Sequence, residues 1–209
     1  MSANPKIEKL PNSTSNSEFI KLSAHRVVIQ VAAISGKDGD FWIQVSPSLN
    51  VSGYGDTEKE AEKNFLENLD LFRKDLFELS HIQRVLELKK MGWVRKKFAK
   101  RQFSKSFVDE NGILKNLEHA KLETINSAAQ MGNNRPVKTK HWLKFLASQN
   151  CTKKKNNGGS HSHYKCPGCF RTVTHREKDK EIPVFHLRTN LATMGLTLDY
   201  LYTWIKENC

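Results

Sequence analysis

A chain of 209 residues with 34 Lys and Arg against 22 Asp and Glu carries a formal charge of +12. Its 38% of hydrophobic and 9% of aromatic residues suffice for one or two small cores and are too few for a membrane protein. Gln30 interrupts the apolar run from Val27 to Ile34, so no segment reaches membrane-spanning length, and the polar start offers no signal-peptide core.

Residues 1–23 bring little to bury and are expected to form a mobile lead-in. Arg26 to Ala33 is β-branched and apolar and reads as a strand. Gly36-Lys37-Asp38-Gly39 then supplies a turn and Phe41 to Val45 a second strand. Val51 to Gly55 reads as a short third strand. Thr57 with Glu60 three residues later is a capping-box signature for the helix that follows. That helix aligns Ala61, Phe65, Leu69, Phe72 and Leu76 on one face, while Glu58, Lys59, Glu62, Lys63, Glu67 and Asp70 form a solvated face. Strand, strand, strand, helix is a small α+β layer.

A second helix is expected after Ser80, with Ile82, Val85, Leu86 and Leu88, ending near Gly92. The basic run Arg95 to Lys105, with Phe98, Phe103 and Phe107 interleaved, fits either a nucleic-acid contact through phosphates and stacking or a solvated face. Asp109 to Gly112 reads as a turn, Ile113 to Met131 as a helix, and Met131 to Pro136 as a linker.

The rear begins with a helix over Lys140 to Asn150, in which Trp142, Phe145 and Leu146 share a face. A basic loop, Lys153-Lys154-Lys155-Asn-Asn-Gly158-Gly159, follows. Ser160 to Lys165, Phe170 to His175 and Glu181 to Phe185 then read as three strands. The end is helical, with Leu191, Met194, Leu198, Leu201 and Ile205 as its core stripe. The fold class is therefore α+β in two small units. One spans residues 24–110, a helix and linker occupy 111–137, and the second spans 138–209.

The charge is unevenly spread along the chain. Residues 1–88 carry a net −3, residues 89–131 +6 and residues 132–209 +9. An acidic-leaning front can cover a basic rear, and a basic rear suits a polyanion such as nucleic acid. His161 and His163 lie on one strand face just after the basic glycine-containing loop. An imidazole beside a phosphodiester can take the proton of a ribose 2′-OH or give one to the leaving oxygen. Lys153, Lys154, Lys155, Lys165, Arg171 and Arg176 are candidates to hold the phosphate and stabilise its transition-state charge. A surface or hydrogen-bonding histidine is the bland reading.

The rear resembles the HicA toxin family through Trp142-Leu143-Lys144-Phe145-Leu146, Gly159-Ser160-His161, Ile182-Pro183-Val184-Phe185-His186 and the closing helix. That resemblance implies a helix, three-strand, helix fold like a double-stranded RNA-binding domain, and metal-independent cleavage of mRNA without a cofactor. The family's catalytic histidine falls on His161, with His163 as the alternative, and its Gly-Ser-His segment adds Gly159 to the RNA-binding residues. His186 matches the family's Pro-x-His segment with one extra residue and takes a structural role. The front is similar to the HicB antitoxin family, of partial ribonuclease-H-like βββα fold, through Phe41-Trp42-Ile43-Gln44-Val45, Gly53-Tyr54-Gly55-Asp56-Thr57 and Glu60-Ala61. It shows no ribonuclease H carboxylate set, which implies binding and no second nuclease. Together the two imply a cytoplasmic type II toxin–antitoxin protein whose front blocks RNA entry to the rear, within one chain or across a dimer. Many HicB-like proteins carry a DNA-binding module that represses their own operon, so operator DNA is a further candidate partner. No helix-turn-helix or ribbon-helix-helix pattern is evident.

Cys166-Pro167-Gly168-Cys169 fits a hairpin turn, half of a zinc site or a redox pair, with Cys151 and Cys209 single and distant. Without a secretion signal, all four thiols are expected to be reduced. Two other functional classes follow: a non-catalytic RNA-binding protein, and a zinc-knuckle nucleic-acid adaptor using Cys166 and Cys169.

Overall fold

The computed structural model describes residues 18–23, 26–96, 102–105, 107–108, 114–115, 135–155 and 161–209. Its fold is mixed α and β, with five helices and several small antiparallel sheets among those residues.

The end of the expected lead-in is a strand. In β1 (Phe19–Leu22), Ile20 and Leu22 alternate inward and are 0% and 1% exposed. It pairs antiparallel with β2 (Val27–Gln30). Of the expected strand over 26–33, only residues 27–30 are strand. β2 belongs to one sheet, and β3 (Ile34–Asp38) opens another with β4 (Phe41–Ser46) and β5 (Val51–Gly55) in the order β3-β4-β5. Gly36 to Asp38 lie within β3, and the turn falls on Gly39-Asp40.

Helix α1 (Glu58–Glu78) starts at the expected cap. The Thr57 hydroxyl accepts from Glu60 N, and the Glu60 carboxylate accepts from Asp56 N at 3.0 Å. Phe65, Phe72 and Leu76 enter the front core with Ile20, Leu22, Leu49, Val51, Trp93 and Phe103. Gly53 lets α1 lie directly on β5, since a Cβ there would stand 2.0 Å from the Phe65 amide nitrogen. Helix α2 (His81–Lys90) opens with a Ser80–Gln83 capping box and buries Leu88, while Ile82 and Leu86 stay exposed. Strands β6 (Trp93–Arg95) and β7 (Gln102–Lys105) then complete the first sheet in the order β2-β1-β7-β6. Within the basic run, Phe103 is a core residue at 2% exposure, so it is not available for stacking on bases. Residues 97–101 of that run lie outside the described residues. Strands β8 (Phe107–Val108) and β9 (Leu114–Lys115) pair, which puts strand where the helix over 113–131 was expected to begin; the rest of that helix lies outside the described residues.

In the rear, β10 (Val137–Lys138) leads into α3 (Thr139–Ser148). The three-stranded sheet is β11 (Thr152–Lys153), β12 (His161–Lys165) and β13 (Thr172–Arg176), in that order. β14 (Glu181–Ile182) pairs with β10 and does not join that sheet. The third expected strand is therefore only two residues long. Pro183, which lacks an amide hydrogen, caps α4 (Val184–Met194), so Val184 and Phe185 are helical. The closing helix is also two. Gly195, at φ 70°, ends α4 in the left-handed conformation, and Thr197 caps α5 (Leu198–Asn208). Trp142, Phe145, Leu146, Val173, Ile182, Leu187, Leu191 and Leu201 form a second core.

The reduced-thiol expectation is overturned: Cys151, just past α3, is disulfide-bonded to Cys166 at the end of β12, while Cys169 and Cys209 are thiols.

Substituting Gly53→Ala should cost about 3 kcal/mol or more, because the new methyl group meets backbone that cannot swing away. Urea denaturation of the variant beside Gly36→Ala, where the added Cβ meets open space, separates the steric effect from loss of glycine flexibility.

Candidate functional site

The site begins with an unfinished sheet. Among the described residues, β13 pairs with β12 on one side only, so its outer edge carries backbone groups that no strand pairs. Side chains complete them. Thr172 N donates to Asp75 Oδ2 at 2.7 Å, Thr174 N to Asn190 Oδ1 at 3.3 Å and Arg176 N to the Tyr54 hydroxyl at 3.0 Å. The Thr174 carbonyl accepts from Asn190 Nδ2 and faces His186 Nε2 at 2.8 Å. β5 has an open edge of the same kind, where Asn68 and Asn64 donate to the Ser52 and Tyr54 carbonyls at 2.8 and 2.7 Å. Asp75 and Tyr54 come from the front, so the front unit finishes the rear unit's sheet.

Further contacts fix this docking. The Ser52 hydroxyl lies 2.9 Å from His186 Nδ1 and 2.7 Å from the Thr189 hydroxyl. The rings of Tyr54 and His186 lie 4.7 Å apart, and Phe72 meets Phe170 edge-on at 6.0 Å. Phe185 N donates to Asp38 Oδ2 at 2.9 Å. All of these are contacts within one chain.

His161 opens β12 opposite Arg176, and His163 lies two residues on, opposite Thr174, so both face the same side of the sheet. Val173 and Tyr164 face the other side and pack with the rear core. His161 is 2% exposed, with Nδ1 3.3 Å from Glu67 Oε2 on α1. Removal from water, reinforced by the neighbouring His186, His163, Arg176 and His175, lowers its pKa to about 3. It is therefore neutral, the form that can accept a proton. Burial acts likewise on His186 and His175, both brought to about 4, and lowers half-buried His163. His175 stacks on Tyr164.

The expected phosphate-binding cations are largely occupied. Arg171 donates to the carbonyls of Leu49 and Asn50 at 2.8 and 2.7 Å. Buried Arg176 sits among Asp56, Glu60 and Asp179 at 3.7, 3.5 and 3.3 Å. Lys154 lies 3.6 Å from Asp75. Those partners, Asp179 apart, belong to the front. Lys153 pairs with Glu177 at 2.5 Å, and Lys165 donates to the Phe170 carbonyl. Lys155 is exposed, and Gly159 lies outside the described residues. Cys166 cannot serve as a zinc thiolate while its sulfur is bonded to Cys151, which removes the pair that the Cys166/Cys169 site needs. Among the described residues, no cluster of three or more His, Cys, Asp or Glu is placed to hold a metal ion.

Sequence reasoning passed over Ser52, Tyr54, Glu67, Asp75 and Asn190 as site residues. For α1 a signal existed: Asn64, Asn68 and Asp75 lie at helical spacing beside the apolar stripe, and all three are buried. No protein-family model, no curated protein and no solved structure matches the chain.

Buried neutral histidines make stability depend on pH. Unfolded, His161 and His186 take up protons near pH 6.5, about the usual value; folded, only near 3 and 4. The unfolded chain thus binds more protons in that window, so stability is full above pH 6.5 and falls as pH drops toward 4. The urea midpoint should follow this course, with a shallower fall in His161→Gln. A midpoint that does not change between pH 6.5 and 4 contradicts the burial of these imidazoles.

Proposed function

We propose that the chain is a toxin–antitoxin fusion, in which a HicA-like, metal-independent endoribonuclease unit is held closed by its own HicB-like front. One observation carries the reading: acidic and carbonyl groups of the front lie on the histidine-bearing face and the cations of the basic rear. Glu67 meets His161, Asp75 meets Lys154 and the β13 edge, Asp56 and Glu60 meet Arg176, and the Leu49 and Asn50 carbonyls meet Arg171. These are the positions RNA phosphates would take.

The chemistry follows from a neutral imidazole among cations. His161, with His163 as the alternative, takes the proton of a ribose 2′-OH. The 2′-oxygen bonds to phosphorus and the bond to the 5′-oxygen breaks. The leaving 5′-oxygen takes a proton from water while the imidazolium returns its own to water, so the products are a cyclic phosphate and a 5′-hydroxyl. Arg171, Arg176 and Lys154, once freed from the front, stabilise the charge that develops on the phosphoryl oxygens. Closure withholds both the base and the cations. The substrate class is mRNA, which points to the cytoplasm. The absence, among the described residues, of a helix long and apolar enough to cross a membrane is compatible with this.

Opening the contact tests the reading in the full chain. Asp75→Arg combined with Tyr54→Phe removes two acceptors from the β13 edge and sets a cation against Lys154 and Arg171. The double variant should cleave RNA in excess EDTA at least about tenfold faster than the native chain, the factor a loss of about 1.4 kcal/mol of closure would give. Adding His161→Ala should abolish the gain. An opened, folded variant that binds RNA without cutting it moves the reading to a non-catalytic RNA-binding protein, and cutting that survives His161→Ala moves the base to His163.

A further inference from the structure

Three of the four cysteines share one cluster on the rear core: Cys166 is buried within it, and Cys151 and Cys169 pack against it. Cys151 and Cys166 are bonded, 15 residues apart in sequence. Cys169 is a half-buried thiol. It ends a tight turn in which its own N–H donates to the Cys166 carbonyl at 3.2 Å, with Gly168 at φ 72° allowing the reversal. Residues at the two ends of such a turn have Cα atoms within about 7 Å of each other, which overlaps the span a disulfide bridges. Cys166 therefore has two neighbours that can hold its sulfur, one already bonded and one carrying a proton.

We propose that Cys151, Cys166 and Cys169 form an intramolecular thiol–disulfide exchange site. Cys169 loses its proton to water and its thiolate attacks Sγ of Cys166. The Cys166–Cys169 bond forms, the Cys151–Cys166 bond breaks, and Cys151 leaves as a thiolate that takes a proton from water. One disulfide and one thiol stand on each side, so no external oxidant or reductant is needed. Burial raises the Cys169 pKa, with nearby Lys165 opposing, which keeps the attacking form scarce near neutrality and makes the exchange slow there.

The exchange has a structural consequence. The Cys151–Cys166 bond ties the end of α3 to the end of β12, and the chain between them carries β11, Lys153, Lys154, Lys155 and His161. A bond moved to Cys166–Cys169 closes only the turn and releases that segment from its covalent tie. β11 would then be held to β12 by the Thr152–Lys165 and Lys153–Tyr164 pairings. This inference does not rest on RNA cleavage and stands or falls separately.

Disulfide mapping of the native full chain tests it, in a Cys209→Ser background so that the exposed Cys209 thiol cannot scramble the bonds. After incubation over a series of pH values, acid quenching and alkylation with N-ethylmaleimide, non-reducing trypsin digestion separates the two bonding patterns. Residues 145–153 carry Cys151, and residues 166–171 carry both Cys166 and Cys169. Exchange yields an alkylated 145–153 peptide and an internally bonded 166–171 peptide. Their appearance should quicken about tenfold per pH unit while Cys169 remains mostly protonated, and Cys169→Ser should never yield them. The proposal is overturned if 145–153 stays linked through Cys166 in every molecule across the series, or if Cys151 is found bonded to Cys169.

Discussion

Two unfinished sheet edges govern this molecule. Among the described residues, the outer edge of β5 and the outer edge of β13 do not pair with each other or with any further strand. Both are closed by side chains instead, from α1, α4 and β5 itself. A backbone group left orphaned in a dry contact costs roughly 1–3 kcal/mol, so the six that these edges bury would together rival the stability of a whole domain. Docking in a register that buried Thr172 N and Arg176 N unmet would be disfavoured by that cost. Met as they are, each bond contributes only about 1 kcal/mol over its equivalent with water. Two of these bonds, from Thr172 N to Asp75 and from Arg176 N to the Tyr54 hydroxyl, cross between front and rear. They select one placement without making it permanent, since water can replace both on separation. Asn64, Asn68 and Asn190 serve edges of their own unit.

The electrostatics follow from that placement. Once Asp75 and Tyr54 complete β13, α1 lies over the face from which His161 projects, and Glu67 reaches it. Arg171 and Arg176 are drawn among front carbonyls and carboxylates, and the burial of His161 and His186 suppresses their protonation. Residues 1–88, at a net −3, and residues 132–209, at +9, are also of opposite sign, which favours their contact at longer range. The same contacts that position the units would withhold cations and base from a polyanion, and closure and inhibition become one event in the proposed function.

Much of the fold was legible because it rests on local rules. Thr57 with Glu60 marked the start of α1, the apolar stripe marked its buried side, and Trp142, Phe145 and Leu146 marked the inner face of α3. What escaped depends on partners distant in sequence. β1 carries few residues worth burying, but Ile20 and Leu22 find a core supplied by β7 and α1. Glu67 has the spacing of a solvated residue, and only the position of β12 turns it into a partner of His161. Asp75 gave a signal, a carboxylate beside Phe72 and Leu76, but its acceptor role toward Thr172 lies 97 residues away. The bond between Cys151 and Cys166 escaped because compartment reasoning addresses the oxidant and says nothing of which sulfurs meet. The candidate histidines and cations were legible as residue types; that most of them are already engaged was not.

The central claim is that the rear cuts RNA and the front prevents it. The rear core draws on residues from Val137 onward alone, so residues 132–209 can be examined by themselves once circular dichroism shows them folded. The most direct measurement is RNA cleavage by that fragment in excess EDTA, beside the same fragment with His161→Ala and beside the full chain. The account predicts cleavage by the fragment, none by the variant and strong suppression in the full chain. A folded fragment that leaves RNA intact, or a full chain that cuts as fast as the fragment, would contradict it.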